Sequence, residues 1–310
     1  MNSGTIRSKF LGALVGTAIG DAVGAFFEGR LQAEPEDIVT IADTQNILRY
    51  TDDTHMMIGV AESLIENNGF YGKHMAYRFM KRYESEPWRG YGPGPPHIFR
   101  LISSGEAWDK AAEMVYRGGS YGNGAAMRIA PVGVFYYDDI EALVKAAYGS
   151  SQITHAHPLG KEGAALLAYI IARVVTIEPS ERFEANNILS DLSQFVEDDL
   201  YKQKISTIET FLSGVDIQKV IGGLGNGIEA FNSVPTAIYS FLTHHRSFKD
   251  AVVYAVSLGG DTDTLGAMTG ALCGAYLGLD AIPEEWKAKL EHRDYIEELA
   301  LKLFELKQNV

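Results

Sequence analysis

Residues 257–278 read SLGGDTDTLGAMTGALCGAYLG. After Gly259-Gly260 come two aspartates, Asp261 and Asp263, and then a glycine at every fourth position: Gly266, Gly270, Gly274 and Gly278. A period of four marks one face of an α-helix. Glycine costs about 1 kcal/mol relative to alanine inside a helix, so a repeated glycine needs a structural cause. A face without side chains lets another backbone approach closely, as in small-xxx-small packing. Near the start of the chain, Gly12, Gly16, Gly20 and Gly24 have the same spacing. The two stripes predict two helices that cross closely near the centre of the fold.

Helical periodicity dominates the rest. KHMAYRFMKRY (73–83), IEALVKAAY (140–148), AALLAYIIARV (164–174) and IEELALKLFEL (296–306) place apolar residues three or four apart. The strand candidates VGVFYY (132–137) and AVVYAVSL (251–258) are short and sit in helix-compatible contexts. No linker or low-complexity tract divides the 310 residues, so the expectation is one all-α domain over 1–310 with a central metal cleft. Glu178 to Thr207 is the most polar segment and is expected as a peripheral helical excursion.

Composition narrows the function. The chain is 46% hydrophobic and 22% charged, as expected of a globular protein with a sizeable core. A formal net charge of −13 argues against non-specific nucleic-acid binding. An anionic ligand would need metal ions or backbone amides to supply positive potential. The single cysteine, Cys273, permits no intrachain disulfide, which fits a reducing, cytoplasmic setting. Arg7 and Lys9 before FLGALVGTAI imitate a signal peptide, yet the amphipathic pattern runs past Asp21 to Glu28, so a helix of the mature protein is expected. No apolar stretch reaches the roughly 20 residues of a membrane span.

Carboxylates accompany the glycine helices. Asp261 and Asp263 open the second, and Glu28, four residues beyond Gly24, continues the first stripe if that helix lasts so far. RYTDDTHMMIGVAESL (49–64) opens another helix with Thr51, Asp52, Asp53 and Thr54. One acidic helix start is explained by capping and the helix dipole. Two acid-and-threonine starts plus a glutamate on a glycine face point to convergence. Glu28, Asp52, Asp53, Asp261 and Asp263 in one small volume cannot all stay ionised without cations or protons. Oxygen-only donors favour Mg²⁺, Mn²⁺ or Ca²⁺ over zinc. A zinc alternative would use THAHP (154–158) and His244–His245, but lacks a second cysteine and an HExxH motif.

Three glycine loops complete the pattern: RGYGPGPP (89–96), GGSYGNGAAMR (118–128) and GGLGNGIEAF (222–231). Backbone amides in such loops suit phosphate. None matches GxxxxGK[ST], which argues against ordinary nucleoside-triphosphate chemistry. Tyr91 and Tyr121, flanked by glycines, are candidates to present a flat face to a base.

Taken together, GALVGTAIGDAVGAFFEG, YTDDTHM, RGYGPG, GSYGNGAAMR, THAHPLG, GNGIEAFNSVPTAIY and SLGGDTDTLGAMTGALCGAYLG make the chain resemble the ADP-ribosylglycohydrolase family across nearly its whole length. GSYGNGAAMR and GNGIEAFNSVPTAIY are similar to its type-three branch, which removes ADP-ribose from serine and degrades poly(ADP-ribose) and O-acetyl-ADP-ribose. The resemblance implies an all-α fold and a binuclear Mg²⁺ centre, with Mn²⁺ as a substitute. Its ligands would be Thr51, Asp52, Asp53, Asp261, Asp263 and Thr264. Glu28, with Asp52 second, would be the catalytic carboxylate. Gly90, Tyr91, Gly92, Gly94, Gly119, Ser120, Tyr121, Gly122 and Asn123 would hold the diphosphate and adenosine, with His155 in the same cleft.

His55, following TDDT where a small residue is usual, would add a rim contact. The adenine contact falls to Tyr121, because the stretch Met114, Val115, Tyr116 aligns poorly with the aromatic expected there. Expected partners are ADP-ribose-bearing proteins, polymer or small molecules, met by a monomer, with no nucleic acid and no membrane. An arginine-specific hydrolase, a non-catalytic binding relative and a metal-dependent phosphohydrolase are the alternatives.

Overall fold

A computed structural model describes residues 2–179 and 183–309. Among them, α1 is Ser3–Gly24, α2 Pro35–Thr44, α3 Asp52–Asn67, α4 Gly72–Ser85, α5 Gly94–Ser103 and α6 Ala111–Val115. After a 3₁₀ turn at Asn123–Ala125 come α7 Ala130–Phe135, α8 Ile140–Gln152, α9 Pro158–Val175, α10 Ala185–Phe195, α11 Asp199–Phe211 and α12 Ile217–Leu224. The chain continues with α13 Ala230–His244, α14 Phe248–Ser257, α15 Thr262–Leu277, α16 Glu284–Lys289 and α17 Arg293–Gln308. The described residues form no sheet; the only extended pairings are isolated bridges, Leu48 with Leu290 and Gly122 with Glu229. Both strand candidates are helical, VGVFYY largely within α7 and AVVYAVSL within α14 except for its last residue.

The helices α1 and α15 are the axis of the fold, and they run antiparallel. Gly12 lies against Gly274, Gly16 against Gly270, Gly20 against Gly266 and Gly24 against Thr262. A Cβ built at any of these glycines would overlap a backbone carbonyl of the other helix. The stripe therefore does what its spacing predicts: it brings two backbones into direct contact. Both helices are buried on almost every side, α1 from Lys9 to Gly24 and α15 from Thr262 to Tyr276. Other helices, among them α3, α9, α13, α14 and α17, pack around this pair.

The antiparallel register decides where the acids go. The C-terminal end of α1 meets the N-terminal end of α15. Helix α1 ends at Gly24, so Glu28 lies in the turn that follows and does not extend the stripe. That turn is fastened to the Gly259-Gly260 pair: Gly29 N–H donates to the Gly260 carbonyl at 2.9 Å, and Gly260 N–H to Arg30 at 2.9 Å. Gly259 and Gly260 both have positive φ, +70° and +76°; a Cβ on Gly259 would strike the Leu31 carbonyl of that turn, and one on Gly260 the Asn226 carbonyl. In the polar segment 178–207, residues 180–182 lie outside the described ones. The remainder supplies α10 and most of α11, which lean on α9 and α13.

Candidate active site

The carboxylates converge. One oxygen each from Glu28, Asp261 and Asp263 lies within 4.8 Å of the others. Asp52 and Asp53 line the same cleft, with Gly90, Gly92, Gly94, Ser120, Gly122, Asn123, His155 and Thr264. Asp261 is held from both sides. Asn123 donates from Nδ2 to Asp261 Oδ2 at 2.5 Å and to Ser233 Oγ at 3.1 Å. Asp261 N–H donates to the Asn226 carbonyl at 2.9 Å, and Asn226 Nδ2 to Leu258 at 2.9 Å, so the GNG loop backs the start of α15. Thr262 Oγ1 donates to the Gly24 carbonyl at 2.8 Å and locks that start to the end of α1.

The TDDT turn is held by a residue the motif reading passed over. Asp21, fully buried on α1, accepts from Thr51 N at 3.0 Å, Thr54 N at 3.0 Å and Thr54 Oγ1 at 2.6 Å. Burial pushes its carboxyl up to about 6, against the pull of those donors. Its only sequence signal is an acid inside a helix otherwise buried and apolar. An Asp21→Asn substitution is expected to lower stability by roughly 2 kcal/mol, because the amide nitrogen must face buried donors. Urea denaturation of the metal-free protein checks it.

The acids are electrostatically crowded. Burial, then the charge of Asp21, lifts Asp52 to about 7. Burial and Asp263 lift Asp53 well above the carboxylate range, and burial and Asp261 do the same to Asp263. Glu28, at the lip, is raised by burial and by Asp261. Asp53 Oδ2 is buried with no hydrogen-bond partner. An unpartnered, buried carboxylate oxygen among other carboxylates is what a cation site needs, and an all-oxygen donor set fits Mg²⁺ or Mn²⁺. The acidic cleft fits divalent cations on this donor chemistry.

Behind the cleft lies a buried cation. Arg128 packs 4.4 Å over the Phe79 ring and donates to Ser150 O at 2.8 Å and Thr154 Oγ1 at 2.9 Å. Burial lowers it to about 9, and it remains charged at neutral pH. Thr154 Oγ1 stands 2.8 Å from His155 Nδ1. Burial, reinforced by Arg128, holds His155 down at about 3, so its ring is neutral in this cleft.

Several expected residues also have partners within the protein. Tyr91 is turned inward: its hydroxyl lies 2.9 Å from His55 Nδ1 and its ring meets Tyr83 edge-on. His55 is buried beneath it and is no rim contact. Tyr121, 49% exposed, packs against His157 and Phe231 beside the cleft lining. Gly119, at φ +85°, has its missing Cβ against the His157 backbone, so its role is to bring the loop close. Thr51 caps α3 and accepts from Asp53 N at 3.3 Å. The aromatic in the lining is Tyr116, and Ile228, Met56 and Met127 join it. The loops carrying Tyr121 and Ile228 are paired, Asn123 N to Ile228 O at 2.8 Å and Ala230 N to Tyr121 O at 3.0 Å.

The zinc alternative finds no support in its histidines. His244 stacks on Tyr254 and His245 on Phe183, and each ring lies within 3.3 Å of a backbone carbonyl. A wider hollow of about 830 Å³ between α10, α11, α13 and α14 lies far from the carboxylates and gathers no comparable cluster. No helix among the described residues is long and apolar enough to cross a membrane.

Comparison with known proteins agrees with the geometry. A family model described as ADP-ribosylglycohydrolase matches residues 2–310. The human protein named ADP-ribosylhydrolase ARH3 is 34% identical over 337 residues, covering 96% of this chain and 93% of that protein. An uncharacterized protein of Archaeoglobus fulgidus is 31% identical over 315 residues, covering 98% and 99%. A solved structure titled "ADP-ribosylglycohydrolase-related protein complex" superposes with a TM-score of 0.75 at 27% identity, covering 98% of this chain and 99% of that one. With the acidic cleft at the crossing of two glycine helices, these likenesses place the chain in the ADP-ribosylglycohydrolase family, as an enzyme of that class.

Proposed function

We propose that the chain hydrolyses the bond at C1″ of the distal ribose of ADP-ribose, releasing it from serine, acetate or an ADP-ribose polymer. The observation that carries this reading is the meeting of Glu28, Asp52, Asp53, Asp261 and Asp263 with two glycine loops in one cleft. Thr51, Asp52, Asp53, Asp261, Asp263 and Thr264 would hold two Mg²⁺ ions. Bound there, the ions supply positive charge that orients ribose hydroxyls and a water.

The chain's own groups do the rest. Departure of the acceptor oxygen leaves oxocarbenium character at C1″, which the facing carboxylates stabilise. Water forms the new bond to C1″, and the departing oxygen takes a proton. Glu28, at the lip with its proton affinity raised, is placed to manage that proton; Asp52 is the second candidate. Backbone amides of residues 90–92 and of Ser120 take the diphosphate, with the neutral ring of His155 beside them. Tyr116 and Ile228 offer the adenine its apolar walls. The reading includes a monomer acting in a reducing, cytoplasmic setting.

Product analysis on a serine-ADP-ribosylated peptide beside an arginine-linked one, with Mg²⁺ and with EDTA, tests it. Mg²⁺-dependent release of intact ADP-ribose from the serine peptide alone is expected. Release from arginine alone refutes the acceptor assignment, and AMP as product refutes the glycosidic one.

A further inference from the structure

Beyond the metal end of the cleft lies a second hollow of about 470 Å³. Gly90 lines both, and the adjacent residues Thr51 and Asp52 face the hollow and the cleft respectively. The floor of the hollow is rigid. Arg89 is ion-paired to Glu86 at 2.5 Å and Glu291 at 2.6 Å, donates to Tyr50 O at 2.9 Å, and lies 4.2 Å over the Tyr50 ring. Two other lining groups are free. Trp88 is 74% exposed and stacks on no ring among the described residues, and Arg49 is exposed with no ion pair among them. An indole left this open is unusual on a chain that buries its other two tryptophans wholly or partly.

The chemistry of the reaction says what passes over this hollow. Resting on the activity proposed above, the group leaving C1″ departs from the metal end of the cleft. In an ADP-ribose polymer that group is the 2′-oxygen of an adenosine, so an adenine and its diphosphate lie directly past the scissile bond. A flat aromatic face beside an unpaired guanidinium is the pairing that binds a base and its phosphate. Acetate offers neither. We propose that this hollow is an acceptor subsite for the next ADP-ribose unit of a polymer, with Trp88 stacking on its adenine and Arg49 pairing with its diphosphate.

Trp88→Ala, Trp88→Phe and Arg49→Gln, assayed on poly(ADP-ribose) and on O-acetyl-ADP-ribose, test this. Loss of a base–aromatic stack predicts a fall of about tenfold in kcat/KM on polymer for Trp88→Ala, carried by KM. Arg49→Gln should fall in the same direction and become less sensitive to salt, while Trp88→Phe keeps most of the wild-type value. Hydrolysis of O-acetyl-ADP-ribose should be unchanged in all three. Equal losses on both substrates, or no loss on polymer, overturn the subsite. Wild-type protein that cuts O-acetyl-ADP-ribose but not polymer also overturns it and leaves the activity standing; wild-type protein that cuts neither sinks the activity itself.

Discussion

Gly20→Ala will severely destabilise the folded protein, although alanine is the better helix former by about 1 kcal/mol. The reason is steric. A Cβ at Gly20 would overlap the carbonyl of Gly266 and crowd the Ala267 nitrogen, all of it backbone. Flexible side chains could swing away; two helices locked by three further glycine contacts cannot. Separating α1 from α15 would also open voids beside Val23, Leu265 and their buried neighbours, and close-packed interiors relax only partly. The expected cost exceeds 4–5 kcal/mol, the range reserved for changes the core cannot absorb, on the order of half the stability of an ordinary domain. Gly222→Ala is the control. Gly222 sits in α12 with nothing within 4 Å of its missing Cβ, so alanine there should stabilise by about 0.5–1 kcal/mol. Urea unfolding of both variants checks the pair, and a well-folded Gly20→Ala would mean that the crossing is looser than described.

That contrast explains what could be read along the chain. A close crossing constrains one residue type at a fixed period, so the stripes at 12–24 and 266–278 were visible as such, and all-α character followed from the periodicity elsewhere. The antiparallel register was not visible, since no local feature says which end of one stripe meets which end of the other. Glu28 was read onto the helix because the period reached it; the helix ends at Gly24 and the chain turns to meet Gly260. Asp21 escaped because its partners lie thirty residues away and two of them are backbone amides. The orientation of the tyrosines was hidden for a related reason. A glycine-flanked tyrosine is free to point several ways, and packing decides. Tyr91 finds His55 inside, Tyr121 finds Phe231 outside the lining, and Tyr116 is the ring that faces the cleft.

Asp53→Asn should make the protein more stable without metal and inactive with it. Asp53 is buried among Asp263, Asp21, Asp52 and Asp261, with Oδ2 unpartnered. An amide removes one charge and offers a donor to the remaining carboxylates. The pH dependence follows from direction. The folded, cation-free cluster holds protons that the unfolded chain releases near 3.8, with Asp21 retaining its proton to about 6 and Asp52 to about 7. Stability from this cluster is therefore full below about pH 4 and lost as pH rises through 6 to 7. Divalent cations replace those protons, so the rise in Tm on adding Mg²⁺ should be larger at pH 8 than at pH 5.5. In EDTA at pH 8, Asp53→Asn should melt about 1.5 °C or more above wild type, the shift that about 1 kcal/mol produces in a chain of this size. Its response to Mg²⁺ should shrink, and turnover should fall by about a thousandfold or more, because the missing charge is one the cations need. Differential scanning calorimetry with and without EDTA, at both pH values, separates the two effects. A variant that melts lower than wild type in EDTA would show that the acids are not in conflict, and the case for cations at the crossing of α1 and α15 would fall with it.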